Sequence, residues 1–512
     1  MFCAEIGLNQ HPTFNFCTLG DPWAHDGRIY IMNKPIIFWH RQDLRTDDLP
    51  GLNAATDTGQ PIVPCYILDD EAPGEWKAGA ASRWWLHQSL TSLAAELHQI
   101  GATLVLRRGE VLDVLEQLLE ETGASDIYFT RMYEPWAADL ENRVHQYFSA
   151  RGTRVRRYGG ALLHEPEAIA NLSGLPYKVF TPFWRSCRAR TEPALPQPLA
   201  ATAVWWTEST GSDNLNDWKL CPRAPDWAVD WPNLWSPGKL GALKKLETFL
   251  QEGINNYSEG RNHPAMNCTT QLSAHLHYGE ISPREVWHQA RYAAAKCSSL
   301  TEQVDKFLSE MGWREFSHHL LHHFPEIPEQ AFKVQFREFP WLADKQKLLA
   351  WKTGQTGYPM VDAGMRELWQ TGFMHNRVRM IVASFLTKHL LIHWREGARW
   401  FWDTLLDADL ANNTSGWQWV AGSGVDASPY FRIFNPIIQG EKFDHGGQYI
   451  REWVPELSNL PDRYLNCPWE APASILEDAE ITLGENYPHP IVDHKAAREN
   501  ALAALASLRE KN

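Results

Sequence analysis

Between residues 36 and about 158, short apolar runs alternate with amphipathic stretches, and this alternation constrains the fold more than any other feature of the sequence. Such a rhythm predicts an α/β fold with a parallel sheet of five strands and helices on both of its faces. No Gly-x-Gly-x-x-Gly motif follows the first predicted strand, so the sequence does not support an ordinary dinucleotide site there. The predicted strands are 36–39, 62–67, 103–107, 126–130 and 154–158, and the predicted helices are 82–100, 111–122 and 137–151.

The rest of the chain divides into an irregular stretch and a helical region. Residues 191–238 are rich in Pro, Trp, Asp and Asn and have little periodicity, which is typical of a long connector. From residue 239 onward strand signals are nearly absent, which predicts an all-α domain. We therefore expect an N-terminal extension 1–33, an α/β domain 34–165, a linker 166–238 and a helical domain 239–512. Its predicted helices are 242–253, 283–295, 301–323, 361–371, 377–394, 399–405 and 496–511.

The extension is polar and irregular, and Met32 stands directly before the first convincing strand. We expect either that translation starts naturally at Met32 or that residues 1–33 form a loose tail. N-terminal sequencing of the native protein distinguishes these two alternatives, because a native start at Met1 excludes the first.

Composition narrows the classes of function. The formal net charge is −14, so the chain can bind nucleic acid only through a local basic patch. Its eight cysteines include no Cys-x-x-Cys pair, which argues against a zinc or iron–sulfur site and favours a reducing cytoplasm. No segment reaches the roughly 18 uninterrupted apolar residues of a membrane span. We expect a cytoplasmic monomer with no metal site.

Polar and aromatic residues are concentrated between Asp407 and Trp419, where two carboxylates, two asparagines and two tryptophans lie within thirteen residues. Asp and Asn can simply satisfy the backbone donors of a capped loop. A loop of that kind does not need two tryptophans, whereas a cofactor or base pocket combines apolar walls with a few polar groups. A pocket is therefore the interpretation that explains more of this stretch.

Six stretches together resemble the successive signatures of the photolyase/cryptochrome family, from about residue 34 to the C-terminus. The resemblance implies an α/β antenna domain, a linker and a helical FAD domain, and it is nearest to class I-like enzymes that split cyclobutane pyrimidine dimers in DNA. The stretches are FWHRQDLR at 38–45, GWREF at 312–316, TGYPMVDA at 356–363, MHNRVRM at 374–380, and the run 407–419 followed by PYFRIFNP at 429–436.

The resemblance also implies an FAD site. Tyr257 and the run Thr269, Thr270, Gln271, Leu272 and Ser273 match positions that hold the cofactor and its diphosphate, although Gln271 replaces a basic residue of some relatives. Arg379 and Asp407 match a pair beside the isoalloxazine ring, and Asp409 matches a residue at the ribityl and ring edge. Asn413 matches the residue facing flavin N5, where photolyases have Asn and plant cryptochromes Asp. An amide cannot give up a proton, so Asn413 favours keeping the fully reduced anion.

A lesion pocket and a DNA-binding surface are implied in the same way. Enzymes that act on (6-4) photoproducts have His at the positions of Asn376 and Met380, and this chain does not, which favours cyclobutane dimers. Indole faces suit a flipped dimer, and carboxylate and amide groups suit pyrimidine edges. The matching pocket residues are Glu310, Trp313, Asn376, Met380 and Trp419, and the residues matching DNA-backbone contacts are Arg261, Arg314, Arg377 and Arg432.

Electron supply and light harvesting complete what the resemblance implies. Trp417, Trp394 and Trp341 match a chain of tryptophans that leads from flavin to the surface. Glu134 matches an acidic residue that binds a folate antenna in some relatives, and a folate, a deazaflavin, another flavin or no antenna remain open. A cryptochrome-like photoreceptor and a (6-4) photolyase are the alternatives, while a flavin oxidoreductase with a diffusible substrate would need a hydride-donor site that the sequence does not show.

Overall fold

The computed structural model describes residues 34–427 and 431–510, with side chains described to Leu508. The hypothesis of a start at Met32 and the N-terminal extension lie outside these residues. Among the described residues, no helix is both long and apolar enough to cross a membrane.

The N-terminal half forms a five-stranded parallel sheet with the strand order β3-β2-β1-β4-β5. Strands β1, β2 and β4 are almost wholly buried, because helices cover both faces and leave no position for alternating polar side chains. The prediction of a parallel α/β domain is confirmed. The elements are β1 Ile36–His40, α1 Pro50–Thr56, β2 Ile62–Leu68, α2 Ala80–Gln99, β3 Val105–Arg108, α3 Val111–Thr122, β4 Asp126–Thr130, α4 Pro135–Ser149 and β5 Arg154–Tyr158.

From residue 239 onward the described chain is mainly helical, as predicted. A long helix, α11, contacts α5, α8, α10 and α16, so it packs against helices that precede and follow it in the chain. The helices are α5 Phe180–Arg188, α6 Trp231–Leu234, α7 Lys239–Gln251, α8 Tyr257–Gly260, α9 Ser273–His277, α10 Pro283–Lys296, α11 Thr301–His323, α12 Lys345–Lys352, α13 Pro359–Thr371, α14 Asn376–Ser384, α15 Trp394–Thr404, α16 Leu410–Ala421, α17 Pro436–Phe443, α18 Gln448–Trp453, α19 Asp462–Leu465, α20 Ala473–Asp478 and α21 His494–Glu510.

The prediction of one helix over 377–394 is wrong. Helix α14 ends at Ser384, a single π-helical turn covers Phe385–His389, and Leu391 has a positive φ of 52° that no α-helix continues through. The side chain of His393 then accepts a hydrogen bond from Arg395 N and starts α15. The sequence pattern misses this break because the side chains remain buried on both sides of it.

The tryptophan-rich linker packs against its neighbours through indole rings. Trp231 and Trp235 are buried with Trp84 and Trp85 of α2 in one core cluster. Their indole N–H groups donate to the carbonyls of Gln370 and Thr371 at the end of α13, each at 2.8 Å. The linker thereby contacts both halves of the molecule.

A buried carboxylate also joins the two halves. Glu280, which follows α9, is fully buried and accepts hydrogen bonds from Trp85 Nε1 at 3.1 Å and from Ser89 Oγ, both on α2. His275 Nδ1 contacts the second carboxylate oxygen. A charged group without water is stable only when such partners surround it, so this segment needs α2 in place.

Candidate active site

A cavity of about 600 Å³ opens in the helical half and is lined mainly by α8, α9, α11, α14 and α16. Most of the site residues predicted from the sequence line it. They are Tyr257, Arg261, Thr270, Leu272, Ser273, Glu310, Trp313, Arg314, Asn376, Arg377, Arg379, Met380, Asp407, Asp409, Asn413, Trp417 and Trp419.

Arg379 and Asp407 form an ion pair in the cavity wall. Arg379 Nη2 lies 3.0 Å and 2.9 Å from the two carboxylate oxygens of Asp407, and its Nε donates to Met374 O at 2.7 Å. The guanidinium is therefore held in one orientation. Its positive charge is available to an anionic ring system bound in the cavity.

Helix α16 explains the polar and aromatic stretch 407–419. Asp409 is its N-cap, and Oδ1 accepts from Asn412 N at 2.8 Å. Asn413 donates from Nδ2 to Ala398 O at 3.0 Å, which turns its amide oxygen away from that carbonyl. The stretch is thus a capped helix rather than a loop, and its residues line the cavity.

Asp409 lies in the cavity wall between two histidines, His277 and His318. Burial on its own would raise the pKa of this carboxyl, but the charge of His318 and hydrogen bonds from His277 and His318 hold the pKa well below its usual range. Its Oδ2 lies 3.4 Å from His277 Nδ1 and 3.5 Å from His318 Nε2. His318 carries a raised pKa, because attraction to Asp409 exceeds the effect of burial.

The Trp417 ring packs tightly against α15. A Cβ atom on Gly397 would lie 2.0 Å from Trp417 Cη2, so only glycine allows this approach. The ring centroids of Phe401 and Trp351 lie 5.0 Å and 6.1 Å from that of Trp417. The indole that faces the cavity is therefore held on several sides.

Glu310 and Trp313 stand one turn apart on α11, at the part of the cavity assigned to the lesion. Two cations contact the Glu310 carboxylate, Arg261 Nη1 at 2.8 Å and Lys306 Nζ at 3.1 Å. The ring of Phe180 stacks on Trp313 with centroids 3.7 Å apart and planes 9° apart. Sequence reasoning missed Lys306 and Phe180, although Lys306 is four residues before Glu310 and this spacing is a signal for a helical ion pair.

Arginines cluster beside this region. Arg377 donates from Nη2 to Asn262 Oδ1 at 2.6 Å, and its guanidinium lies 4.4 Å from the centroid of the Phe443 ring. Burial and the neighbouring charges of Arg261 and Arg432 lower the pKa of Arg377. Like charges held this close favour an anion such as a phosphate.

The remaining predicted residues lie outside the cavity lining. Gln271 has a φ of 51°, and its side-chain oxygen accepts from Lys245 Nζ at 2.9 Å; neither Gln271 nor Thr269 lines the cavity. The phosphate-binding role predicted for these two residues stays a prediction, as does a DNA contact of the exposed Arg432. Glu134 is buried and accepts hydrogen bonds from Gln42 Nε2 and Tyr133 N, and its antenna role likewise stays a prediction.

The predicted electron relay is only partly joined by direct ring contacts. Trp417 lines the cavity, Trp394 is 1% exposed, and Trp341 is half-buried. The ring of His393 lies between the last two, with centroids 5.2 Å from Trp341 and 5.5 Å from Trp394. Sequence reasoning did not identify His393 as an intervening ring.

The cavity residues fit FAD. Three buried polar atoms that belong to lining residues have no hydrogen-bond partner among the described residues: Trp417 Nε1, Ser415 Oγ and Arg377 Nε. Donors for phosphate oxygens stand at Thr270 and Ser273, and the Arg379–Asp407 pair supplies a charged edge. Apolar walls with a few polar groups suit a large planar cofactor. Among the described residues, no three His, Cys, Asp or Glu side chains are placed to hold a metal ion.

Known proteins match this chain over nearly its whole length. The family described as DNA photolyase matches residues 36–200, and the FAD binding domain of DNA photolyase matches residues 307–507. A deoxyribodipyrimidine photo-lyase of Agrobacterium fabrum is 48% identical over 94% of this chain and 99% of its own, and cryptochrome-2 of Arabidopsis thaliana is 39% identical over 94% and 80%. The chain belongs to the photolyase/cryptochrome family, and the prediction of an FAD-binding helical domain is confirmed.

A solved relative refines the position within the family. A bacterial class III photolyase from Agrobacterium tumefaciens superposes with a TM-score of 0.91 and 46% identity, covering 95% of this chain and 100% of its own. The expectation of a class I-like enzyme does not match this relative. The motifs identify the family correctly, and the class of this chain stays a prediction.

Proposed function

We propose that this chain is a light-driven deoxyribodipyrimidine photo-lyase that splits cyclobutane pyrimidine dimers in DNA. The observation that carries the proposal is one cavity in which the predicted FAD residues and the predicted lesion residues line the same space. Electron transfer to a lesion needs this adjacency. The Agrobacterium fabrum relative named deoxyribodipyrimidine photo-lyase supports the same activity.

The lesion-binding residues act by stacking and hydrogen bonding. Trp313 and Trp419 present indole faces to a flipped dimer, and Glu310 and Asn376 accept or donate hydrogen bonds at pyrimidine edges. Phe180 holds the Trp313 ring in plane from behind. Flipping costs a few kcal/mol and is cheapest where stacking is already broken, which favours the damaged site.

The cofactor-binding residues control charge. FAD, when bound and reduced, supplies on absorbing light the electron that opens the cyclobutane ring. Arg379, oriented by Asp407, places positive charge at the cavity wall and stabilises negative charge there. Asn413 presents an amide that cannot release a proton. Both residues favour the reduced anion that the reaction requires.

The proposal extends to the parts around the site. A relay of Trp417, Trp394 and Trp341 restores the reduced state of the cofactor. The burial of Trp394 and the His393 ring between Trp394 and Trp341 support this relay. The domain boundaries at 165 and 238, a folate, deazaflavin or flavin antenna near Glu134, and a monomeric cytoplasmic enzyme belong to the same proposal. Photoreduction in Trp394→Phe tests the relay, and chromophore extraction tests the antenna. Size-exclusion chromatography tests the monomeric state, and cell fractionation tests the location.

Repair of a defined oligonucleotide tests the main proposal. Purified, photoreduced protein is incubated with DNA containing one thymine dimer, in the dark and under blue light, and intact thymines are measured. We expect repair only in the light, and loss of repair in Trp313→Ala but not in Trp369→Ala, an exposed tryptophan outside the cavity. Absence of repair in protein that holds photoreducible FAD refutes the cyclobutane assignment.

A photoreceptor is the second candidate, favoured by the 39% identity to an Arabidopsis cryptochrome. Asn413 opposes a photoreceptor role, because plant cryptochromes have Asp at the position that Asn413 matches. Spectra under blue light distinguish the two, since a photoreceptor accumulates a protonated radical and a repair enzyme proceeds to full reduction.

A further inference from the structure

His318 lies behind the cofactor cavity with an acceptor on each side of its ring. On α11, Nδ1 lies 3.0 Å from Arg314 O, and Nε2 lies 3.5 Å from Asp409 Oδ2. A carbonyl oxygen and a carboxylate oxygen can only accept hydrogen bonds. Both contacts are attractive only when both ring nitrogens carry a proton, which makes the ring an imidazolium.

The surroundings of His318 support this state. Burial alone would lower the pKa of a histidine, and the Arg314 charge also lowers it, but the attraction of Asp409 outweighs both and raises the pKa. The other groups that face the pair are His277 on α9, Glu315 on α11 and the Tyr133 ring, whose centroid lies 5.7 Å from that of His318. Burial raises the pKa of Glu315, so the charge that favours the imidazolium is that of Asp409.

The pair is connected to the cavity through Asp409. This carboxylate lines the cavity and caps α16, the helix that also carries Asn413 and Trp417. Without the cation at His318, the negative charge of this buried carboxylate is compensated less, and that charge lies beside a bound cofactor.

We propose that His318 is a positioning residue, a protonated imidazole that compensates Asp409 and so sets the charge of the cavity wall. This inference rests on the FAD site of the proposed function but not on the substrate. His318 does not itself line the cavity, and we assign its effect on the cofactor to its contact with Asp409, which does. A neutral side chain at this position leaves negative charge beside the cofactor, which disfavours adding electrons.

Two measurements on the FAD-loaded protein test the inference. Long-range 1H–15N spectra of histidine-labelled wild-type protein should show one doubly protonated ring that persists at pH 8, above the ordinary histidine pKa of about 6.5. The FAD midpoint potential should move to more negative values in His318→Gln and stay near the wild-type value in His318→Arg, which keeps the charge. Loss of this signal in His318→Arg assigns the doubly protonated ring to His318.

Two results overturn the inference: the absence of any doubly protonated ring at pH 8, or equal potentials in the Gln and Arg variants. A variant that fails to fold does not remove the test, because the absence of a doubly protonated ring from the wild-type spectrum at pH 8 overturns the inference by itself. The repair assay is independent of both readouts. A protein that repairs no dimers but retains the imidazolium signal refutes the proposed function and leaves the role of His318 standing.

Discussion

Gly397→Ala should disturb the site through a single methyl group. The added Cβ would lie 2.0, 2.5 and 2.6 Å from three atoms of the Trp417 ring, which must move by roughly 1.5 Å to reach ordinary contact distance. Phe401 and Trp351 pack on the same ring and resist that movement. Overpacking of this kind costs about 1–3 kcal/mol, against a helix-propensity gain of about 0.5–1 kcal/mol from replacing glycine.

Gly416→Ala is the matched control, because its Cβ would meet no atom within 4 Å and the same propensity gain applies in α16. Chemical unfolding followed by tryptophan and flavin fluorescence gives the stability of both variants. We expect Gly416→Ala to be more stable than Gly397→Ala, and light-driven reduction of bound FAD to slow in Gly397→Ala as the Trp417 ring shifts. Equal stability of the two variants, with unchanged photoreduction, would refute the argument from close packing.

Three further outcomes are expected. In binding experiments with dimer-containing DNA, Arg377→Ala should reduce the slope of log binding constant against log salt concentration by about 0.9, because one phosphate contact is lost. Arg143→Ala, at an exposed position, should leave that slope unchanged. Phe180→Leu should weaken dimer binding by about 2- to 12-fold, since an aromatic pair contributes about 0.5–1.5 kcal/mol; unchanged affinity contradicts the stacking role. Burial raises the pKa of Glu367 to about 7, so the free energy of unfolding of the wild type should fall as pH rises from about 4.5 to 7. Glu367→Gln has no such ionisation, and its stability relative to wild type should increase by on the order of 3 kcal/mol between pH 5 and 8. Unfolding experiments measure both proteins, and parallel pH profiles would exclude this effect.

Local pattern was sufficient for the regular elements. Strands 126–130 and 154–158 and helices 111–122 and 301–323 have the predicted bounds, because each carries its own periodicity and end signals. The break after Ser384 was missed because the positions around it are buried whether they are apolar or, like Thr387 and Lys388, polar, and periodicity does not register a left-handed residue such as Leu391.

Apart from the pair Arg379 and Asp407, the site was predicted as a set of residues and not as a set of partners. Motif matching located Asp409 and Glu310, yet the contacts that define their charge come from His318 and Arg261, which are distant in sequence and on other helices. The stacking of Phe180 on Trp313 spans more than a hundred residues for the same reason. Such pairings depend on how helices cross, which composition and spacing do not encode.

The buried carboxylate of Glu280 has a consequence for dividing the molecule. A fragment beginning at residue 239 would lack Trp85 and Ser89 and would leave that carboxylate with only His275. The exposed surface would also include the ring of Tyr278, whose hydroxyl donates to Ser82 O at 2.6 Å. The light-absorbing half is therefore not an interchangeable module, and transplanting it between relatives requires that helix α2 and the turn after α9 be exchanged together.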